Sequence, residues 1–338
     1  MMWNGVHATT GLEVLPEIGM ELANRVVIVS EADAGSAHTP WVMTGVQDVK
    51  EAFGSGRLVE MAEASMIPLG AILVKHDHLS DERDRLYESI DRLDATWFLF
   101  DGFSLNIEFL DEMAAFVERK QMRGEWVQVV LDTPVPTDQQ AREWLMDLAS
   151  QMNVHTEDGV LESGRQMSMV LRQYGMAGVD FTVEMANTDA GERLHNKEMK
   201  GRVEIPLSED VLRCYADAGI VGFNAGEKAT VHAAVNLVQG DSPYRQLSVT
   251  RVLQWYLSEW TVALQDIPGE STDIALYATQ EVTEALIGRY RESGHFADAR
   301  YGISFNEYLG EITCDFEMVP FFGVEGITGV GIARIRKG

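Results

Sequence analysis

A chain of 338 residues exceeds the size at which one hydrophobic core stops growing, and its 46% hydrophobic content can fill two or three compact units, which argues against a disordered chain. Its 27 Lys and Arg stand against 53 Asp and Glu, and the resulting net charge of -26 repels phosphate backbones and anionic lipid alike. Nucleic acid and membrane surfaces are poor partners for such a chain.

Residues 1–24 hold scattered apolar positions, three glycines and Pro16 without helical or strand periodicity, and read as an extended arm. From Arg25 on, short unbroken apolar runs at 26–29, 71–74, 96–100 and 126–131 read as buried strands. Between them lie amphipathic stretches. Phe109, Met113, Phe116 and Val117 share one face of a helix near 105–119, and Ala141, Trp144, Leu145 and Leu148 do the same near 138–151, opened by Thr137 and Asp138 as a cap. Strands alternating with helices predict a mainly parallel, helix-covered sheet over 25–155.

Residues 156–205, interrupted by Gly159, Gly164, Gly175, Gly178, Gly191 and Gly201, read as a junction, and 206–338 as a second, α+β domain. Within it, 220–223 and 229–231 predict a strand pair turning at Asn224, Ala225 and Gly226. A long helix follows, in which Leu253, Tyr256, Leu257, Trp260 and Leu264 recur at helical spacing until Pro268 and Gly269. A second helix near 272–292 precedes three strand-like runs at 301–305, 311–319 and 329–336. The last of these offers an edge on which another chain could pair.

Few residues suggest chemistry. The turn after the first strand, Ser30-Glu31-Ala32-Asp33-Ala34-Gly35, has neither a GxGxxG fingerprint nor a GxxxxGK[ST] loop, and would present carboxylates to a phosphate. Gly54-Ser55-Gly56 follows a helix and reads as its terminating turn. His76, Asp77 and His78 stand where α/β enzymes place ligands, but no third ligand cluster has a recognised spacing, so a solvated loop is expected and no metal is assigned. Gly302-Ile303-Ser304 lacks the flanks of a nucleophile elbow. The charge run Asp81-Glu82-Arg83-Asp84-Arg85 reads as the first turn and solvent face of a helix. Cys214 and Cys314 have no partners at ligand spacing and are expected to be reduced, buried thiols. No membrane span of roughly 18–20 apolar residues and no signal-peptide design is present, so a cytoplasmic site of synthesis is expected.

Two stretches resemble the sheath proteins of contractile phage tails and tailocins. The first runs Arg25-Val26-Val27-Ile28-Val29-Ser30-Glu31-Ala32, Gly35, Pro40-Trp41-Val42-Met43-Thr44-Gly45-Val46-Gln47-Asp48 and Ala52-Phe53-Gly54, similar to that family's opening strand, turn, strand and short helix. The second combines Ala218-Gly219-Ile220-Val221, Asp241-Ser242-Pro243-Tyr244-Arg245-Gln246-Leu247 and Val249-Thr250-Arg251-Val252-Leu253, like the family's core. A proline-glycine opening of the arm is not evident, and the chain is short for the family, as though the variable outer domains were reduced.

The resemblance implies a virion tail protein assembled in the host cytoplasm, a structural subunit without cofactor and not an enzyme. It implies a C-terminal sheath-core domain and hexameric rings of this chain stacked around a tail tube protein. The expected partners are other copies of the chain, the tube, baseplate and tail terminator proteins, with no nucleic acid and no membrane for the monomer. Terminal segments would be exchanged between subunits, with Val6, Leu12 and Val14 in the arm and Val330, Ile332, Arg334 and Ile335 in the last strand. Arg289 and Arg291 would face the tube, or else merely favour the negative end of their own helix. An α/β enzyme with an unrecognised site and a baseplate or terminator component reusing the fold remain the alternatives.

Overall fold

In a computed structural model of the chain, the described residues are 25–64, 67–76, 83–123, 125–156, 159–162, 166–188, 192, 194–238, 243–264, 272–306, 311–320 and 327–334. They divide into two compact units, the first ending at Thr250 and the second starting at Arg251.

The first unit is built on a seven-stranded sheet. Its strands are β1 (Val26–Ser30), β2 (Trp41–Val42), β3 (Ile72–Lys75), β4 (Trp97–Phe100), β5 (Gln128–Thr133), β8 (Met167–Leu171) and β9 (Ile220–Val221), in the order β2-β3-β1-β4-β5-β8-β9. All neighbours are parallel except β2, which runs antiparallel to β3 at one edge. The alternating pleat sorts each apolar run between two cores. Val26, Ile28, Trp97, Leu99, Val130 and Val170 face one, while Val27, Val29, Phe98, Phe100, Val129 and Leu131 face the other.

The first face is covered by α1 (Val46–Phe53), α2 (Arg57–Ala64) and α6 (Ala177–Asn187). The second is covered by α3 (Arg83–Asp91), α4 (Ile107–Met122), α5 (Gln139–Ser150) and α7 (Glu209–Asp217). Three of these helices start on a side-chain cap: Asn106 accepts from the Phe109 amide at 2.8 Å, Asp138 from Ala141 at 2.8 Å, and Ser208 from Val211 at 3.4 Å. Asp138 is one of the two residues expected there from sequence. Gly54 ends α1 at φ 72, a backbone conformation that glycine adopts without strain.

Four expectations are corrected. Residues 156–205 are no mere junction: they supply β8 and α6, and the sheet ends on β9, so the first unit runs well past residue 206. Two of their glycines, Gly178 and Gly201, mark close approaches instead, Gly178 lying so near Asp132 that a Cβ would come within 2.8 Å of it. Residues 220–223 split between two sheets, with β9 in the large sheet and only β10 (Phe223–Asn224) pairing with β11 (Thr230–Val231). Trp144 is 52% exposed although it shares the predicted helix face with buried Leu145 and Leu148, because only the narrower stripe of α5 meets the sheet. Cys214 is exposed on α7. A hairpin of β6 (Asn153–Thr156) and β7 (Gly159–Glu162) was not foreseen.

One polar knot fixes the far end of the sheet. Asn236, fully buried, accepts from Gln128 Nε2 at 2.9 Å and Ser168 Oγ at 3.1 Å, and donates to the Tyr244 carbonyl at 2.9 Å and Thr250 Oγ1 at 3.0 Å. It thus ties β5 and β8 to the start of α8 (Leu247–Leu264).

The second unit contains the rest of α8, α9 (Thr272–Glu292) and an antiparallel meander of β12 (Phe296–Asn306), β13 (Glu311–Pro320) and β14 (Ile327–Arg334). The α8 positions foreseen from spacing, Leu253, Tyr256, Leu257, Trp260 and Leu264, are all buried. Trp260 Nε1 donates to Thr283 Oγ1 of α9 at 2.9 Å, and Tyr256, Tyr290 and Phe296 form an aromatic cluster with centroids 5.2–5.9 Å apart.

Replacing Asn236 by Ala removes partners from four buried polar groups at once, and should lower the unfolding free energy of the first unit by about 2–4 kcal/mol. Urea unfolding followed by tryptophan fluorescence measures this, and an unchanged midpoint would contradict it.

Candidate functional site

In an open α/β sheet, ligands bind beyond the carboxyl ends of the strands, where successive connections leave in opposite directions. Here that point lies between β1 and β4, since β1 connects onward to β3 on one side and β3 returns to β4 on the other. Ser30 closes β1 and Asp101 follows β4, and Ser30 Oγ donates to Asp101 Oδ2 at 2.6 Å.

Two arginines occupy the crevice. Arg57, at the start of α2, donates from Nε to Asp101 Oδ2 at 3.3 Å, lies 3.9 Å from Asp132 Oδ2, and reaches the Gly175 carbonyl ahead of α6. Arg172, directly after β8, donates from Nη2 to Asp101 Oδ1 at 2.6 Å and from Nε to Asp132 Oδ2 at 2.7 Å. The quartet therefore links β4, β5, β8, α2 and the entry to α6. A ligand carboxylate or phosphate would have to displace side chains that already satisfy one another.

The two carboxyls share this space unequally. Burial, then the hydrogen bond with Asp101, pushes Asp132 well above the usual carboxylate range. Burial opposes ionisation of Asp101 too, but the hydrogen bonds from Asp132 and Ser30 and the charges of Arg57 and Arg172 outweigh it and hold Asp101 below that range. Among the described residues Asp132 Oδ1 meets no hydrogen-bond donor, and a proton held by Asp132 and shared with Asp101 suits both groups.

His76 belongs to the wall of this crevice. It is buried, not in a solvated loop: its Nε2 faces the Asp101 carbonyl at 3.1 Å and its ring lies 4.1 Å from that of Phe103. Asp77 and His78 lie outside the described residues, and among the described residues no group of three or more His, Cys, Asp or Glu side chains gathers as a metal site. Sequence reasoning passed over Arg57, Asp101, Asp132 and Arg172. A signal existed: Asp101 and Arg172 immediately follow apolar strands, and Asp132 lies inside one, where burial demands a partner.

The second candidate site is the meander. Its order leaves the outer sides of β12 and β14 without a strand neighbour among the described residues. The register places Ile327, Gly329, Gly331 and Ala333 opposite Met318, Phe316, Cys314 and Ile312, the side of β13 on which Ile312, Cys314 and Met318 are buried. Val330, Ile332 and Arg334 occupy the alternate positions, opposite Asp315, Thr313 and Glu311. Val6, Leu12, Val14 and Ile335 lie outside the described residues.

Arg289 and Arg291 are both in the last turn of α9, where cations favour the helix dipole. Arg289 pairs with Glu259 of α8 and stacks its guanidinium 5.8 Å from the Tyr290 ring centroid, which accounts for it within its own unit. The Arg291 side chain is 52% exposed and forms a 4.0 Å ion pair with Asp298.

The crevice predicts a pH dependence with a definite sign. Asp101, held low, contributes stability above the ordinary carboxylate range that is lost as pH falls through its own lowered value, whereas Asp132 contributes in the opposite sense because its neutral form is the stable one. At pH 7, Asp101→Asn should therefore cost about 3–5 kcal/mol by leaving two arginines short of a counter-charge, while Asp132→Asn, replacing a neutral acid by an amide, should cost about 1 kcal/mol or less. Urea titrations of both variants at pH 7 and pH 4 compare them, and equal losses at pH 7 would contradict this division of charge.

No protein-family model and no curated protein matches the sequence. Among solved structures, the chain is similar to the sheath tail protein of Listeria innocua, with a TM-score of 0.66 and 11% identity over 94% of this chain and 98% of that one. The sheath tail protein of Desulfitobacterium hafniense aligns with a TM-score of 0.64 and 11% identity over 93% and 97% of the two chains. A chain of the six-fold symmetrised anti-feeding prophage baseplate aligns with a TM-score of 0.59 and 12% identity over 94% and 91%. Mixed α/β, with a mostly parallel helix-covered sheet followed by two helices and a meander, this chain has the fold of the contractile tail sheath proteins.

Proposed function

We propose that this chain is the structural subunit of a contractile tail sheath, polymerising as stacked hexameric rings around a tail tube and contracting to drive that tube through a target envelope. The reading rests chiefly on one observation: the alignment with the Listeria sheath tail protein extends over 94% of this chain and 98% of that one, so both units and their order are shared. The filled crevice favours it over the enzyme alternative, since the place where an α/β enzyme would hold substrate is occupied by four of the chain's own side chains. Its partners in this reading are other copies, a tail tube protein, and baseplate and terminator proteins at the two ends, in a virion tail assembled in the host cytoplasm. Arg291 is the better placed of the two α9 arginines to touch the tube.

The meander supplies a means of linking copies. In the single chain β14 pairs with β13, and the same hydrogen bonds can be made by a segment of a neighbouring copy, so exchange costs little in bonding. Gly329 and Gly331 weaken the intrachain pairing by roughly 0.5–1 kcal/mol each relative to alanine, which eases the release of β14. Val330, Ile332, Arg334 and Ile335, with Val6, Leu12 and Val14 of the arm, are the residues assigned to this exchange. A second reading, a baseplate component, is favoured by the likeness to the anti-feeding prophage baseplate chain.

Negative-stain imaging of the purified chain separates these readings: long hollow sleeves are expected, while rings alone would favour the baseplate component and persistent monomers would contradict both. Because copies with a net charge of -26 repel one another, and salt screens that repulsion over about 10 Å at 0.1 M, sleeve formation should increase with salt. Deletion of residues 1–20 or of 328–338 should abolish sleeves while leaving cooperative unfolding of the subunit in place. Normal sleeves from both deletions would overturn strand exchange.

A further inference from the structure

We propose that the open β2 edge of the seven-stranded sheet is a docking site for the chain's own Met20–Leu22 segment, which precedes β1 in sequence. The inference does not rest on the sheath reading. Strand pairing carries one apolar row across the second face of the sheet, in which Met167, Val129, Phe98, Val27, Ile72 and Val42 each stand opposite the next. The first five are buried, whereas Val42 is 54% exposed, because β2 is the outermost strand and among the described residues no further strand lies beyond it.

The backbone at this position points outward as well. The Met43 amide donates to the Ala71 carbonyl at 2.8 Å, and antiparallel bonding alternates, so the N–H and C=O of Val42, one residue earlier, are directed away from β3. Leu69, 72% exposed, adds apolar surface at the same end of β2, since its neighbour Gly70 donates to the Met43 carbonyl at 2.8 Å. An outward donor and acceptor beside two exposed aliphatic side chains suit one short extended segment with an apolar face. Pro40, which has no N–H, keeps the pairing short.

The chain supplies such a segment within reach. Through Ile72, Val42 stands level with Val27 of β1, and the strand position outside β2 is three strand spacings from β1, about 14 Å. The chain from Met20 to Val26 spans up to about 20 Å when extended, so Met20 can stand beside Val42. The 24 residues ahead of Arg25 have no periodicity over their whole length, but at their end Ile18, Met20 and Leu22 alternate with Gly19, Glu21 and Ala23, which puts the larger apolar side chains on one face of an extended segment. So short a tether holds the segment at an effective concentration on the order of millimolar. Docking within one chain also avoids the repulsion between copies that each carry a net charge of -26.

Amide hydrogen exchange of the full chain, compared with a synthetic peptide of residues 1–24, tests the docking. Amides within Met20–Leu22 should exchange about tenfold or more slowly in the chain than in the peptide. Val42→Pro removes the outward N–H while leaving the bonds to β3 in place, and should return these amides to the peptide rate. Met20→Asp should do the same without altering the sheet, so the result stands even if the proline variant fails to fold. Peptide-like exchange in the unaltered chain, or protection that survives Met20→Asp, would overturn the proposal. Protection that weakens as the chain is diluted would assign the edge to a neighbouring copy's segment and overturn it too.

Discussion

A parallel sheet buried on both faces can interact with anything else only through its crevice, its edges or the outer surfaces of its helices. In this chain the crevice is closed from within. Asp101 and Asp132 stand at the carboxyl ends of adjacent strands, and the ionised Asp101 requires counter-charge there, which Arg57 and Arg172 bring from opposite directions along the chain. The same contacts fix α2 and the start of α6 over the sheet, so this charge balance also determines how the first face is covered. What remains open to other molecules is the edges of the sheet and the outer surfaces of its helices.

The second unit distributes its stability differently. One side of the meander is buried at Ile312, Cys314 and Met318, and the aromatic cluster of Tyr256, Tyr290 and Phe296 joins β12 to both helices. β14 brings glycine to the register positions facing that side, where larger residues would have added packing.

Charge works at two ranges. At short range, carboxylates find specific cations, as Asp91 does with Arg123 at 2.7 Å and Glu112 with Arg83 at 3.1 Å. At long range the surplus of acid remains, and it opposes the approach of identical copies until salt screens it.

What the sequence determined by itself was local. Apolar runs such as Val26-Val27-Ile28-Val29 and Trp97-Phe98-Leu99-Phe100 required strands buried on both faces, the spacing of Leu253, Tyr256, Leu257 and Trp260 required a helix with one apolar stripe, and the turn after β1 could not cradle phosphate. Trp144 shows the limit of that reasoning, since periodicity names a helix face but not how wide a stripe its neighbours cover. Tertiary structure alone decided that β8, within 156–205, belongs to the sheet, because strand order depends on pairings between segments far apart, whose apolar patterns are interchangeable. It alone decided that Asp101 meets Arg172, 71 residues away, and that His76 turns inward against Phe103. A charged residue's sequence states that it needs a partner when buried; only the fold determines which strand ends converge to supply one.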